Sequence, residues 1–206
     1  MRAMRMALAV VLAMTVTGCG FVGASDDRGS EKRKVSKVSL QEAAERADGI
    51  MLATMASVRP EVNWVHYGNT DGGCDSYTID GKATGSATRR VVVMTVVSET
   101  RRGSLLGVIE RYWKERGYKI TGVNRNKTFP AIYASTPEDF RLVAMVGKKG
   151  QFFFGITTPC FITSEVEAPK TPPNGTPFEG PVVPDPYVRS DFWSATTAIP
   201  SASPSR

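Results

Sequence analysis

The 206-residue sequence contains a single histidine, His66. One imidazole cannot supply the histidine pairs that many zinc sites use, so a His-rich metal centre is excluded. The G-x-S-x-G turn that exposes a nucleophilic serine is absent, and so is the G-x-x-x-x-G-K-[ST] phosphate loop. The sequence therefore offers no catalytic constellation and no metal ligand set, and we expect no cofactor.

The sequence also lacks a concentrated charge. Its formal net charge is +6, from 26 basic and 20 acidic residues. The basic residues are scattered, whereas a nucleic-acid-binding domain presents them on one face. Their densest group, Lys32, Arg33, Lys34 and Lys37, is typical of a solvated linker or of a segment lying beside an anionic membrane. We therefore expect no nucleic-acid partner.

Long hydrophobic runs are absent as well. The apolar run Met6–Val16 follows the basic segment Met1–Arg5, and it is too short to span a bilayer, which takes about 20 residues. This order is typical of an export signal. The run leads into Val16-Thr17-Gly18-Cys19, which resembles the lipobox of bacterial lipoproteins.

That resemblance implies a signal peptide at 1–18 and lipidation of Cys19. It further implies a protein held at the extracytoplasmic face of the cell membrane by acyl chains such as palmitate. Two acyl chains hold a protein stably, whereas one binds only marginally. The alternative is a secreted protein in which Cys19 is discarded or free.

Cysteine is scarce, with three residues in the chain. Assigning Cys19 to lipid leaves Cys74 and Cys160, and an exported domain folds under oxidising conditions. We predict that these two form a disulfide, which would stabilise the fold by roughly 4–5 kcal/mol in the chain-entropy model. The alternative is a pair of free thiols.

Composition divides the rest of the chain into three parts. Residues 19–38 are rich in glycine, serine and charge, and they predict a flexible, disordered tether after the lipidated cysteine. Residues 39–165 predict a single domain. Residues 166–206 contain most of the 13 prolines and predict a Pro-rich tail without regular structure, solvated by default. Its aromatic residues are candidates for docking on the domain or on a partner: Phe178, Tyr187, Phe192 and Trp193.

Two helices are predicted in the domain. Ser39 and Glu42 have capping-box spacing at the start of the first helix, which Arg59-Pro60 ends. Its apolar residues recur every three or four positions: Leu40, Ala44, Ala47, Met51, Met55 and Val58. The second helix is predicted over Gly103–Gly117, with a left-handed glycine at its end and a buried stripe of Leu105, Val108, Ile109, Tyr112 and Trp113.

The remaining segments predict strands and turns. A loop over Gly68–Gly73 and a turn at Asp80-Gly81 separate the earlier strands, and the later ones follow each other as a meander. The expected strands are Val62–Tyr67, Asp75–Ile79, Thr88–Ser98, Tyr118–Val123, Ala131–Ser135, Phe140–Val146 and Gln151–Thr157. The predicted fold class is α+β, with an antiparallel sheet packed against two helices.

The order of these features resembles the LppA-type lipoproteins of mycobacteria and other actinobacteria. The shared succession is a lipobox cysteine, an amphipathic helix, a strand containing Trp64, Cys74-Asp75, a central helix, a meander, Cys160-Phe161 and a proline-rich tail. The resemblance implies an envelope location, a lipidated Cys19 and a cysteine pair at Cys74 and Cys160. It implies no established activity.

The sequence therefore predicts a non-enzymatic binding or interaction domain at the cell envelope, with a protein, a lipid or a wall component as its partner. One alternative is a carrier of an apolar ligand that uses Phe152, Phe153 and Phe154. Another is a hydrolase whose carboxylates are assembled by the fold. The acids of one loop, Asp71, Asp75 and Asp80, lack EF-hand spacing, and turn formation is the favoured interpretation over a calcium site.

Overall fold

The computed structural model describes residues 38–197. The predicted signal peptide (1–18), Cys19 and the tether up to residue 37 lie outside the described residues, so these stay predictions. Within the described part, no helix has the length and apolar character needed to cross a membrane.

Helix α1 covers Leu40–Ala56 and begins as predicted. The Ser39 hydroxyl accepts a hydrogen bond from the Glu42 backbone N–H, while the Glu42 carboxylate accepts one from the Ser39 backbone N–H. All six residues of the predicted apolar stripe are buried. The helix ends at Ala56, slightly before the predicted stop at Arg59-Pro60.

Helix α2 covers Glu99–Glu115 and starts four residues earlier than predicted. Its first turn carries Arg101, which lies on the buried stripe although arginine gives no apolar signal. Leu105, Ile109 and Trp113 of the predicted stripe are buried, whereas Val108 and Tyr112 are half-buried. Gly117 ends the helix with φ of 76°, the left-handed conformation predicted for it.

In the described part of the chain, eight strands form one antiparallel sheet. Its main path is β1-β3-β7-β6-β5-β4, and both β2 and β8 also pair with β3. The strands are β1 (Trp64–His66), β2 (Thr70–Ile79), β3 (Lys82–Val93), β4 (Lys119–Asn124), β5 (Ala131–Ser135), β6 (Arg141–Val146), β7 (Phe152–Thr157) and β8 (Phe161–Ile162). The α+β prediction and the β4–β7 meander are thus confirmed.

Two predictions in the first half of the sheet are wrong. Thr70–Gly73, predicted as loop, is the first part of β2 and pairs with β3. Glycines make this pairing possible, because a Cβ on Gly85 would lie 2.8 Å from the Gly72 carbonyl oxygen. Strand β3 begins at Lys82 and ends at Val93, so it is shifted toward the N-terminus relative to the predicted Thr88–Ser98.

The two faces of the sheet are covered by different parts of the chain. Both helices pack on one face, where the main core lies. On the other face, a smaller cluster of Val65, Val92 and Met94 packs against Phe178, Val183 and Val188 of the C-terminal segment. This segment, defined as residues 166–197, is therefore part of the packed structure.

The C-terminal segment lacks helices and strands but is docked along the domain, so the default of a solvated tail is wrong for these residues. Trp193 is 1% exposed, and its indole N–H donates to the Pro60 carbonyl at 2.6 Å. The guanidinium of buried Arg101 lies 4.7 Å from the centre of the Phe192 ring, a cation–π arrangement. Phe178 packs in the smaller cluster, whereas Tyr187, the other aromatic residue predicted to dock, is 56% exposed.

A disulfide joins Cys74 to Cys160, with Cα atoms 6.2 Å apart. Cys74 lies within β2, and Cys160 directly precedes β8. The bond connects the exposed β2–β3 hairpin to the strand that also pairs with β3.

We expect Trp193→Ala to lower the free energy of unfolding by about 3–5 kcal/mol, because it removes a fully buried indole and leaves a cavity. The matched control, Tyr187→Ala, removes an exposed aromatic from the same segment and should change stability by about 0.5 kcal/mol or less. Urea denaturation followed by circular dichroism measures both. Equal losses in the two variants would contradict the docking of the segment through Trp193.

Candidate functional site

An open groove of about 460 Å³ lies between α1, the C-terminal end of α2 and the turn that joins β5 to β6. Ile50 and Phe140 contribute apolar surface to it. Polar side chains come from each of the three elements: Arg46 from α1, Tyr112, Arg116 and Tyr118 from the end of α2 and the residues after it, and Glu138 from the turn. We call this the α1–α2 groove. Its volume falls within the range of ligand sites, roughly 300–1,000 Å³.

The groove-facing residues of α1 follow helical spacing. Arg46, Gly49, Ile50 and Ala53 recur at steps of three and four, so they share one face beside the buried apolar stripe. Gly49 and Ala53 are small, and a Cβ added to Gly49 would meet no atom within 4 Å. These two small residues leave open space on the groove-facing side of the helix.

A buried hydrogen bond joins the two helices next to the groove. The indole N–H of Trp113 donates to the Thr54 hydroxyl oxygen at 3.1 Å, and that hydroxyl donates to the Ile50 carbonyl at 2.9 Å. Thr54 and Trp113 directly adjoin the groove residues Ala53 and Tyr112. The spacing of the groove walls is thus set by a polar contact inside the core.

In residues 38–197, five polar side chains of the groove have no hydrogen-bond or ion-pair partner in the protein. Within residues 38–197, the guanidinium groups of Arg46 and Arg116, the Tyr112 and Tyr118 hydroxyls and the Glu138 carboxylate make no hydrogen bond or ion pair. Glu42, one turn before Arg46, has its carboxylate held by Ser39. That hydrogen bonding lowers the pKa of Glu42. The positive charge of Arg46 lowers that pKa further, but Arg46 makes no hydrogen bond to Glu42.

Tyr112 is half-buried in the wall of the groove. Burial raises the pKa of its phenol, the neighbouring Tyr118 raises it further, and Arg116 opposes the shift. A phenol is protonated at neutral pH even at its ordinary pKa, so the hydroxyl can donate a hydrogen bond to a ligand.

A second, smaller groove of about 230 Å³ lies between α1 and the start of the C-terminal segment. Buried Arg89 forms an ion pair with Asp48, Nε to Oδ1 at 3.2 Å, and donates from Nη2 to the Glu167 carbonyl at 2.6 Å. Glu45 accepts from Gln41 at 2.9 Å and lies 3.6 Å from the Lys170 ammonium. Both carboxylates of this groove are therefore engaged by the protein.

Burial raises the pKa of Asp48, while Arg89 and His66 oppose the shift. The stability that this carboxyl contributes is present below its unfolded pKa and is lost as the pH rises through the raised folded value. His66 lies on β1, and its Nε2 is 2.9 Å from the Thr171 carbonyl oxygen. The single histidine therefore contacts the C-terminal segment and does not line the α1–α2 groove.

The acidic and phenylalanine residues that the sequence suggested as site candidates do not line the α1–α2 groove. Among residues 38–197, no three acidic, histidine or cysteine side chains are grouped so that they could hold a metal ion, so Asp71, Asp75 and Asp80 do not converge. Phe152 and Phe154 are buried in the main core, and Phe153 packs in the smaller cluster under the C-terminal segment. All three phenylalanines contact protein.

Sequence reasoning missed the α1–α2 groove. It assigned Tyr112 to the buried stripe, and it gave no role to Arg46, Arg116, Tyr118 or Glu138. One signal was present on α1, where Gly49 and Ala53 place small residues on the helical face that carries Arg46. No comparable pattern indicates that Glu138 lies across from that face, because the tertiary fold alone brings the turn there.

Comparison with known proteins gives two weak structural likenesses. One is to a DUF4853 family protein from Actinomyces odontolyticus, with a TM-score of 0.38 and 12% identity over 62% of this chain and 71% of that one. The other is to a Mycobacterium tuberculosis protein named as the lipoprotein LppA, with a TM-score of 0.37 and 14% identity over 60% and 78%. The expected resemblance to LppA-type lipoproteins is found only at this level.

No family model matches the chain, and no curated protein matches it.

We expect Thr54→Val to destabilise the protein by about 1–3 kcal/mol, because it keeps the side-chain volume but leaves the buried Trp113 N–H without an acceptor. Thr54→Ser keeps the hydroxyl and should cost less. Urea unfolding measures both variants. A Thr54→Val variant as stable as the parent would show that the helices do not depend on this contact.

Proposed function

We propose that this chain is a lipoprotein anchored through Cys19 at the extracytoplasmic face of the cell membrane. Its domain binds a component of the envelope in the α1–α2 groove and catalyses no reaction. The observation that carries the binding role is the set of five polar groups, without partners in the described part of the chain, that surround an apolar floor. Arg46, Arg116 and Glu138 are exposed, and Tyr112 and Tyr118 are half-buried, so water hydrates these groups in the free protein and a ligand can reach all five of them.

Binding is favoured over catalysis by the chemistry of the groove. General acid–base catalysis uses groups placed to take and return a proton, most often histidine or paired carboxylates. Among residues 38–197, Glu138 is the one carboxylate that lines the groove, and arginines and tyrosines line it as well. The acids of the other groove are held in ion pairs. These features support a site that recognises a ligand without transforming it.

The proposed anchor would keep the groove close to the membrane. The predicted tether between Cys19 and the first helix has the composition of a flexible chain, for which the end-to-end distance is about 5–6 Å times the square root of the residue number. A tether of this length therefore spans roughly 25 Å. The domain would sample ligands of the wall and the membrane surface.

We expect Cys19→Ala to release the protein from the membrane fraction of its native host, because the thiol that takes the acyl chains is removed. Fractionation followed by immunoblotting measures the distribution, and Tyr187→Ala, which changes an exposed side chain and keeps the lipobox, serves as the control. A Cys19→Ala protein that still requires detergent for extraction would contradict the anchor.

We expect Ala53→Trp to abolish co-sedimentation of the protein with isolated envelope fragments, because the indole would fill the α1–α2 groove. Ala56→Trp is the matched control, since Ala56 is exposed on the same helix and does not line the groove. Parent protein that fails to sediment, or equal binding by Ala53→Trp, would contradict a binding role for the groove.

A further inference from the structure

The charges of the α1–α2 groove indicate an anionic ligand. Arg46 and Arg116 contribute two positive charges from opposite helices, against the single carboxylate of Glu138. Arg46 lies in the middle of α1, where Glu42, one turn before it, accepts hydrogen bonds from Ser39 and interacts with Arg46 through charge alone. A guanidinium binds a carboxylate through two parallel N–H···O bonds, so the arginines suit a planar oxyanion.

The groove has polar groups besides the two arginines, and an oxyanion alone would leave them without a hydrogen-bond partner. Tyr112 and Tyr118 are half-buried, and each presents part of its ring and a hydroxyl without a protein partner. Glu138 accepts hydrogen bonds, so it would repel a carboxylate or phosphate but bind a hydroxyl or an amide N–H. The ligand must therefore carry hydrogen-bond donors as well as a negative charge.

The apolar surface of the groove adds a third feature to the ligand, after its negative charge and its hydrogen-bond donors: an apolar face. Ile50 is half-buried in the groove whereas Phe140 is 2% exposed, so the accessible apolar surface comes from Ile50 and from the rings of Tyr112 and Tyr118. A sugar ring has an apolar face that packs on aromatic and aliphatic surface, with hydroxyls around its rim. An acyl chain would match the apolar floor but would leave both guanidinium groups and Glu138 unpaired, at a cost in desolvation.

We propose that the α1–α2 groove binds a sugar ring that carries a carboxylate. Arg46 and Arg116 receive the carboxylate, Tyr112 and Tyr118 contact the ring and its oxygens, and Glu138 accepts from a hydroxyl or an acetamido N–H. Because the groove is open, the sugar can belong to a longer envelope glycan. This assignment rests on the proposed binding role of the groove and names its ligand class.

Isothermal titration of the full chain in detergent micelles tests the ligand class with three probes. N-acetylmuramic acid carries a carboxylate, N-acetylglucosamine has the same ring without it, and acetate supplies the carboxylate without the ring. We expect N-acetylmuramic acid to bind at least roughly tenfold more tightly than either other probe, the effect of a charge-assisted hydrogen-bond pair added to ring contacts. Equal binding of the two sugars, equal binding of acetate, or no binding of any probe would overturn the proposal.

Variants at the arginines test which residues receive the carboxylate. Arg46→Gln and Arg116→Gln should each reduce the affinity for N-acetylmuramic acid toward that for N-acetylglucosamine, while binding of the neutral sugar stays unchanged. The control is Arg111→Gln, which changes an exposed arginine of α2 that does not line the groove. If Arg111→Gln weakens binding as much as the other two, a general charge effect would replace the proposed contact.

The two proposals fail in different ways. If Ala53→Trp abolishes envelope binding but N-acetylmuramic acid does not bind, the groove keeps its binding role and the acidic-sugar assignment is wrong. If Ala53→Trp leaves envelope binding intact, the binding role of the groove is itself wrong.

Discussion

The buried hydrogen bond from Trp113 to Thr54 is the contact on which the candidate site depends. Each helix could pack on the sheet through its apolar stripe alone, and apolar packing tolerates small changes in position. A hydrogen bond inside the core does not tolerate such changes, because separating the two helices would leave the indole N–H unpaired at a cost of about 1–3 kcal/mol. The 3.1 Å contact therefore fixes the distance between α1 and α2 beside Ala53 and Tyr112, and so the width of the groove.

The C-terminal segment gives the sheet its second covered face. Without residues 166–197, Val65, Val92 and Met94 would present an apolar surface to solvent on the side opposite the helices. Proline and glycine prevent this segment from forming a helix, but they do not prevent docking by Phe178, Val188 and Trp193. The α1–α2 groove lies on the helical face of the sheet, so covering the other face leaves the groove open.

The sequence predicted the features that depend on neighbouring residues. The capping box at Ser39, the apolar stripe of α1 and the meander from β4 to β7 are all local patterns, and each is confirmed. The sequence was less informative about structure that depends on contacts between distant segments. Gly72 was predicted as loop but lies in β2, where the lack of a Cβ on Gly85 leaves room for the Gly72 carbonyl oxygen. The tail was predicted as solvated from its prolines, because the sequence alone does not show whether its aromatic side chains meet an apolar surface. The groove was not predictable, since Glu138 reaches it only through the fold.

Hydrogen–deuterium exchange on the full chain, with and without solubilised glycan from the native envelope, tests the central claim most directly. The account predicts slower exchange on ligand addition in three separate segments, residues 46–53, 112–118 and 136–140, which are distant in sequence and meet at the α1–α2 groove. Protection confined to the strands on the opposite face, or no protection in any of the three segments, would contradict it.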